Sequence, residues 1–356
     1  MSNANSTSIL NFSNRSTSSF ERLVYKGMLE AVSSCEVEFP NSILIACSGG
    51  PDSTALLIAM VKAFPKSRYI AGYFNHKIRN RDDTTKEAHF VSDIASELGI
   101  EFATGDASNL IETEEQARIA RYKWLAEVCA ENTINACVTG HHSNDQAETA
   151  LFNLIRGSGA KGFSAMNTGA YWPIDLGDRA NHLRIMRPLL SIWQQDIHQY
   201  LNHHGIKALE DSTNEDTGLI RNRLRLDVIP SLKEINPGIE QHLVALASDI
   251  RSDDQYLYDL AKEWLGKQSD VIERESTLDQ QIVRMPRTRK APIKTLAKPL
   301  FTRILQIIAN ELGLKLSRTQ IDTAYSIRLR SGGRVSLTGG SISTDAKSFI
   351  VSAGKS

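Results

Sequence analysis

The feature that most constrains this chain is the alternation of short apolar runs with longer amphipathic stretches between residues 42 and 156. Residues 43–47 (ILIAC), 69–75, 100–104 and 136–139 have the length and apolar content of strands, and the first reads as buried on both faces. Between them, residues 54–64, 82–98 and 114–132 carry helical periodicity, and a further helix is expected to run to Arg156. This order predicts an α/β fold built on a doubly wound parallel sheet. Ligands of such sheets lie beyond the carboxyl ends of the strands. That directs attention to the segments after residues 47 and 139.

The first segment is Ser48-Gly49-Gly50-Pro51-Asp52-Ser53. Its glycines let backbone amides approach an anion closely, and a helix N-terminus just beyond adds partial positive charge. Ser48 and Ser53 supply hydroxyls, and Asp52 can hold a magnesium ion against phosphate. The same residues also favour ordinary turns; the position between strand and helix favours the anion site. It is not a Walker loop, because G-x-x-x-x-G-K-[ST] is absent from the sequence. Without that lysine, the loop suits pyrophosphate, hence cleavage of ATP between its α and β phosphates. The G-x-G-x-x-G match at residues 157–162 follows a helix rather than a strand, so it is not read as a dinucleotide fingerprint.

The second segment runs from Gly140 through His141, His142, Asn144, Asp145 and Gln146 to Glu148 and Thr149. On a helix, positions 141, 145 and 148 would share one face. Such a set could bind metal, work as acid and base, or simply cap the helix. Further on, Asp211 and Asn214 precede Arg221-Asn222-Arg223, with Arg225 just after. Those arginines can clamp phosphates or fold back on Asp211. Arg118 and Arg121, three apart on one expected helix, could stabilise phosphate charge or form a surface salt-bridge face.

The formal net charge is zero, yet residues 281–335 hold twelve Lys/Arg against Glu311 and Asp322 alone. A basic window on a neutral chain points to a polyanion, or to a face that compensates an acidic neighbour. The four cysteines form no C-x-x-C pair, which removes support for a zinc ribbon, an iron–sulfur cradle or a thioredoxin-type pair. Residues 1–19 read as a Ser/Asn-rich disordered tail. Residues 238–267 read as a long helix, 284–299 as a basic loop, 299–312 as a helix, and 333–351 as a small terminal β unit. No apolar run approaches the roughly 18–20 residues that span a bilayer, and the chain reads as a reduced cytoplasmic protein.

Taken in order, these motifs resemble the PP-loop ATP pyrophosphatase superfamily and, within it, the tRNA(Ile)-lysidine synthetase family. The S-G-G-x-D-S loop matches residues 48–53. An H-x-x-R matches His76 and Arg79, and A-R-x-x-R-Y matches residues 117–122. The pattern G-H-H-x-D-D-Q-x-E-T matches residues 140–149, with Asn144 in place of its first Asp. R-G-S-G…G…M falls on residues 156–166 and R-P-L-L on 187–190. E-D-x-[ST]-N…R-N-x-x-R…P-x-L falls on 210–232, and R-x-S-L-x-G-G more loosely on 334–340.

The resemblance implies a fold of the adenine nucleotide alpha hydrolase type over residues 20–235. Residues 236–356 would hold a helical linker and a small C-terminal α+β domain that binds tRNA. It implies ATP and Mg²⁺ as cofactors, with ATP at Ser48, Gly49, Gly50, Pro51, Asp52, Ser53, His76, Arg79, Gly140 and His141, and magnesium on Asp52. Asp52, Arg118, Asp145 and Glu148 would be catalytic. His142, Arg187, Asp211, Asn214, Arg221, Asn222 and Arg225 would contact substrate or tRNA. The implied reaction adenylates the wobble cytidine of the CAU-anticodon isoleucine tRNA, after which free L-lysine displaces AMP to give lysidine. A homodimer is compatible with the resemblance, and no membrane partner is expected. The alternative is another PP-loop enzyme, such as a tRNA thiolase or a small-molecule amidotransferase.

Overall fold

A computed structural model describes residues 18–76, 81–107, 113–174, 182–209, 220–287 and 293–354. The chain divides into two compact units, the first ending at Ala247 and the second starting at Ser248.

In the first unit, helix α1 (Ser19–Ser34) opens on a capping box in which Ser18 and Glu21 each bond the other's backbone amide. Strand and helix then alternate through β1 (Ser42–Ala46), α2 (Pro51–Ala63), β2 (Arg68–Asn75), α3 (Arg81–Leu98), β3 (Glu101–Asp106), α4 (Glu114–Glu131), β4 (Cys137–Val138) and α5 (Ser143–Ile155). There follow α6 (Ala160–Phe163), β5 (Gly169–Pro173), β6 (His182–Met186), α7 (Gln194–His203) and α8 (Ile220–Arg223). A π-helical turn (Leu224–Val228) leads to α9 (Ile229–Ile235) and α10 (Ile239–Lys267), within which the two units divide.

The sheet order is β3-β2-β1-β4-β6-β5. All neighbours are parallel except β5, which runs antiparallel to β6 at the edge. Both faces are covered. Ile43 and Ile45 of β1 join α1, α2, α3 and α7 in one core, while Leu44 joins α4 in the other. That period of two is why β1 reads as a continuous apolar run. The strand order reverses between β1 and β4, so the loops leaving these strands flank the crevice where such sheets bind ligands.

The expected parallel sheet is therefore present, with a correction at its edge: β5 makes it mixed. Only Gly169 of β5 is buried, and β6 mixes buried with half-buried and exposed positions, which mutes the apolar signal that marks the central strands. Helix α2 starts three residues before the expected Thr54, because Pro51 sits at its first position, where a missing N–H costs nothing.

In the second unit, an antiparallel sheet has the order β7-β8-β11-β10-β9. Its strands are β7 (Glu273–Ser276), β8 (Gln280–Pro286), β9 (Arg334–Leu337), β10 (Gly340–Thr344) and β11 (Ser348–Gly354). Helices α11 (Lys298–Glu311) and α12 (Arg318–Ile327) share its core with Ala261 and Leu265 from the end of α10. Phe301 meets Phe349 edge-on in its core at 5.5 Å. The loop expected over 284–299 is corrected at its start. Arg284, Met285 and Pro286 pair with Ile350, Phe349 and Ser348, because Val283 and Met285 alternate into the core.

The basic window is also less uniform than its composition suggests. Arg287 and Arg328 are buried, the former donating to the carbonyls of Arg328 and Asp345. Arg284 pairs with Glu275, Lys298 with Asp322, and Arg303 with Asp254. Lys294, Lys315, Arg318, Arg330 and Arg334 are exposed, and Arg289 and Lys290 lie outside the described residues.

Candidate active site

The residues after β1 form a tight cradle. Gly49 has φ +84°, a region that costs a side-chain-bearing residue strain. The Ser48 amide donates to Ser53 Oγ at 3.1 Å, and Ser53 Oγ donates to the Gly50 carbonyl at 3.1 Å. Gly50 caps α2 without a side chain, so the first-turn amides of Asp52 and Ser53 lie at the positive end of the helix, uncovered by a capping group. Gly140, after β4, closes the cradle from the other strand. A Cβ there would stand 3.2 Å from both Asp52 C and Ser53 N.

Around this cradle lie two poles of opposite charge. The first gathers Asp52, His142, Asp145, Glu148 and Arg225. His142 Nε2 is 3.6 Å from Asp52 Oδ1 and 3.7 Å from Asp145 Oδ2. Burial works against a charge on His142, but Asp52, Asp145 and Glu148 outweigh it and raise its pKa. Arg225 holds Glu148 in two bonds, Nε–Oε1 at 2.7 Å and Nη2–Oε2 at 3.0 Å, and reaches Asp145 Oδ1 at 3.5 Å. Burial still raises the Glu148 pKa against the pull of Arg225. Asp52 Oδ1 is buried with no hydrogen-bond partner among the described residues.

The second pole is cationic. His141 bonds Thr139 Oγ1 through Nδ1 at 2.8 Å. Burial, then the charges of Arg187, Arg121 and Arg118, hold its pKa well below the ordinary value. Arg118 lies over Trp172 at 4.8 Å and over Tyr122 at 5.5 Å. Its Nε is buried without a hydrogen-bond partner among the described residues, and the buried Tyr122 hydroxyl lies beside Arg187. Arg187 is 4% exposed and donates to the Asn167 carbonyl at 2.9 Å. No carboxylate pairs with these three arginines among the described residues.

The expected grouping of His141, Asp145 and Glu148 on one helix face is thus corrected. Helix α5 begins at Ser143 with His142 as its N-cap, so His141 precedes the helix and belongs to the other pole. His142, assigned to substrate, takes its place among the carboxylates. Among the described residues no group of three or more His, Cys, Asp or Glu side chains could hold a metal ion. Asn144 points away from both poles: Nδ2 donates to Glu240 Oε1 at 3.0 Å, and Oδ1 accepts from the Gln194 amide at 3.1 Å. His76 follows β2 directly, edge-on to the Phe74 ring. Arg221 and Asn222 are half-buried on α8. Arg79, Asp211 and Asn214 lie outside the described residues.

Sequence reasoning missed several partners. Glu240 and Trp172 carry no local signal, because they reach the site from elements distant in the chain. Gln146 was quoted only as part of a motif, yet its amide exchanges two 2.8 Å hydrogen bonds with the backbone of Met166, fixing the loop after α6.

A family model described as the PP-loop domain matches residues 21–232, which contain the whole cradle and both poles. The chain belongs to the PP-loop family. Several curated relatives of this PP-loop chain are named tRNA(Ile)-lysidine synthase. The one from Geobacillus kaustophilus is 28% identical over 306 residues, 83% of this chain and 62% of the relative. Those from Persephonella marina and a Nostoc species are 34% and 32% identical, covering 66% and 62% of this chain and 51% and 63% of the relative. The chain thus spans less than two thirds of the length of these relatives. Among solved structures, the U34-tRNA thiolase NcsA from Methanococcus maripaludis with its [4Fe-4S] cluster superposes with a TM-score of 0.49 at 18% identity. It covers 65% of this chain and 79% of that one, a likeness too slight to bear on the chemistry.

Proposed function

We propose that this PP-loop protein uses ATP to ligate L-lysine to C2 of the wobble cytidine of the CAU-anticodon isoleucine tRNA. The observation that carries the reading is the meeting of an acidic and a cationic pole at an anion cradle, in a chain whose curated relatives are named for that reaction. The cytidine O2 attacks the α-phosphorus of ATP and pyrophosphate leaves; the ε-amine of lysine then attacks C2 and AMP leaves.

Each feature of the crevice has a place in this scheme. The amides of residues 49–53 and the α2 N-terminus receive pyrophosphate, with Gly140 and His141 beside the nucleotide and His76 at the neighbouring strand end. Asp52 Oδ1, buried beside His142 Nε2 but without a hydrogen-bond partner among the described residues, has the chemistry to hold Mg²⁺, which when bound neutralises phosphate charge. Arg118 stabilises charge at the adenylate, and Arg187 stands beside it. Neutral His141 sits among the cations without adding to their charge. Asp145 and Glu148 attract and orient the lysine ammonium, and Arg225 keeps Glu148 in place. Residues 236–356 supply the helical connection and a tRNA-binding domain, through exposed cations such as Lys315, Arg318, Arg330 and Arg334. The reading places the protein in the cytoplasm. Among the described residues no helix is long and apolar enough to cross a membrane. The four cysteines are buried, which favours ligation over the sulfur transfer of the alternative reading.

The test is transfer of labelled lysine, with ATP and Mg²⁺, to two transcripts: isoleucine tRNA with a CAU anticodon and elongator methionine tRNA. Lysine is expected to enter only the first. Incorporation into neither, with ATP–pyrophosphate exchange retained, would overturn the reading in favour of a different acceptor.

A further inference from the structure

Helix α5 does not end at the acidic pole. One turn beyond Glu148 it presents Phe152, and one turn beyond that Arg156, so the three residues follow one another at i, i+4 and i+8 on one face. The segment that packs beside it repeats the spacing in the opposite sense. Arg225 grips Glu148, and Arg221, four residues earlier, lies over the Phe152 ring at 5.6 Å. Arg156 lies over the same ring at 5.2 Å. An ion-pair rung inside the site is therefore continued outward by a rung of two guanidiniums on one aromatic ring.

This outer rung is partly open to solvent. Arg156 is exposed, and Phe152 and Arg221 are half-buried. Ile155, three residues after Phe152, and Ile220, beside Arg221, are each 60% exposed. Large apolar side chains left in water beside flat cations have a recurrent use. Guanidinium planes and aromatic rings stack on splayed-out RNA bases, and the same cations meet the adjoining phosphates.

We propose that Phe152, Arg156 and Arg221 form a stacking platform for one unpaired RNA base flanking the nucleoside that reacts. The inference rests on the proposed tRNA substrate and adds to it the place where a loop base is held. Its distance from the carboxylates along α5, one helical turn, is about 5–6 Å. That suits a base next to the reacting one rather than the reacting base itself. The apolar rim at Ile155 and Ile220 excludes water from the base edge, and the exposed Arg156 supplies charge for an adjoining phosphate.

The test measures binding of the protein to an anticodon stem–loop RNA with a CAU loop, and to two copies carrying an abasic nucleotide on either side of the wobble cytidine. Phe152→Leu removes the ring and keeps apolar volume; Arg156→Gln removes one cation. Each variant is expected to weaken binding of the intact stem–loop by about tenfold, the scale of one lost base stack. Neither should weaken binding further when the abasic site lies at the position the platform serves. Losses that add in full at both abasic positions, or variants that bind as the parent does, would overturn the platform. Binding of lysine and ATP to the variants, followed calorimetrically, separates a lost platform from a lost fold. If the parent protein itself ignores the stem–loop, the proposed substrate fails first, and that failure is distinguishable from failure of the platform alone.

Discussion

His141 and His142 are adjacent in the chain and face opposite charge. His142 Nε2 lies within 3.7 Å of two carboxylates, whereas His141 is buried under the influence of the Arg187, Arg121 and Arg118 charges. Around pH 6.5, the ordinary histidine value, His142 is expected to carry the proton and His141 to lack it. Imidazole C–H resonances followed by NMR from pH 5 to 9 check this. Two histidines titrating together near 6.5 would contradict the two-pole arrangement.

The same pair sets opposite slopes of stability against pH. The folded pKa of His142 is raised, so its contribution is full below about 6.5 and is lost as pH rises through the folded value. His141 has a depressed folded pKa, so the native state loses stability as pH falls below about 6.5. Urea unfolding should show His142→Gln costing more stability at pH 6 than at pH 8.5, and His141→Gln relieving destabilisation at pH 5. A cost for His142→Gln that is flat or grows with pH would refute the carboxylate contacts.

Asn144 stands where the family pattern has a carboxylate, and its surroundings explain the exchange. Its amide donates to Glu240 while its carbonyl accepts from the Gln194 backbone. Glu240 is 6% exposed and also holds Lys233 at 2.5 Å. Asn144→Asp would set one carboxylate against another and remove a donor, at a cost of about 1–3 kcal/mol. Adding Glu240→Gln should recover most of that loss. A double-mutant cycle by chemical denaturation measures the coupling, and simple additivity would show that the two residues do not interact.

How much of this was legible beforehand depended on where the information sits in the chain. The cradle at residues 48–53 was readable because strand, loop and helix are contiguous, and apolar run, glycines and serines announce them together. The carboxylates of α5 were readable for the same reason, but the helix start was not. Capping is decided by backbone geometry around His142, and a shift of one residue moved His141 to the other pole. The grip of Arg225 on Glu148 and the stacking of Arg118 on Trp172 join elements far apart in sequence, so no local pattern encodes them. Edge strand β5 carries no strong apolar signal because only Gly169 of its five residues is buried. The basic window misled in part because composition counts Arg287 and Arg328 as surface charge, although both are buried in the second unit.

Gly140 lets the β4 end pass close to the first turn of α2. Its absent side chain would meet backbone atoms of Asp52 and Ser53 at 3.2 Å, and backbone yields less readily than a side chain. Gly140→Ala should displace the cradle by a few tenths of an ångström and weaken ATP binding by about tenfold, close to the lower end of overpacking costs. Gly140 and Asp52 are half-buried at the rim of the core rather than inside it, so the thermal midpoint should fall by only a few degrees. Isothermal titration with a non-hydrolysable ATP analogue checks the first expectation and calorimetric melting the second. Unchanged nucleotide affinity would mean that the cradle does not receive phosphate.

The cysteines offer a test that separates ligation from sulfur chemistry. Cys35, Cys47, Cys129 and Cys137 are all buried, the least so 5% exposed. Burial raises every one of their pKa values; that of Cys129 is pushed up to about 12. Because the thiolate is the reactive form, such thiols are inert while the fold holds. A chromogenic disulfide reagent at pH 8 should therefore titrate almost no thiol in the native protein and four after denaturation in guanidinium. Substituting Cys129 or Cys137 by Ala should lower stability by roughly 1–2 kcal/mol through lost packing and leave lysine transfer intact. A thiol that reacts within seconds in the native state, or loss of transfer in a stably folded Cys→Ala variant, would turn the reading towards sulfur transfer.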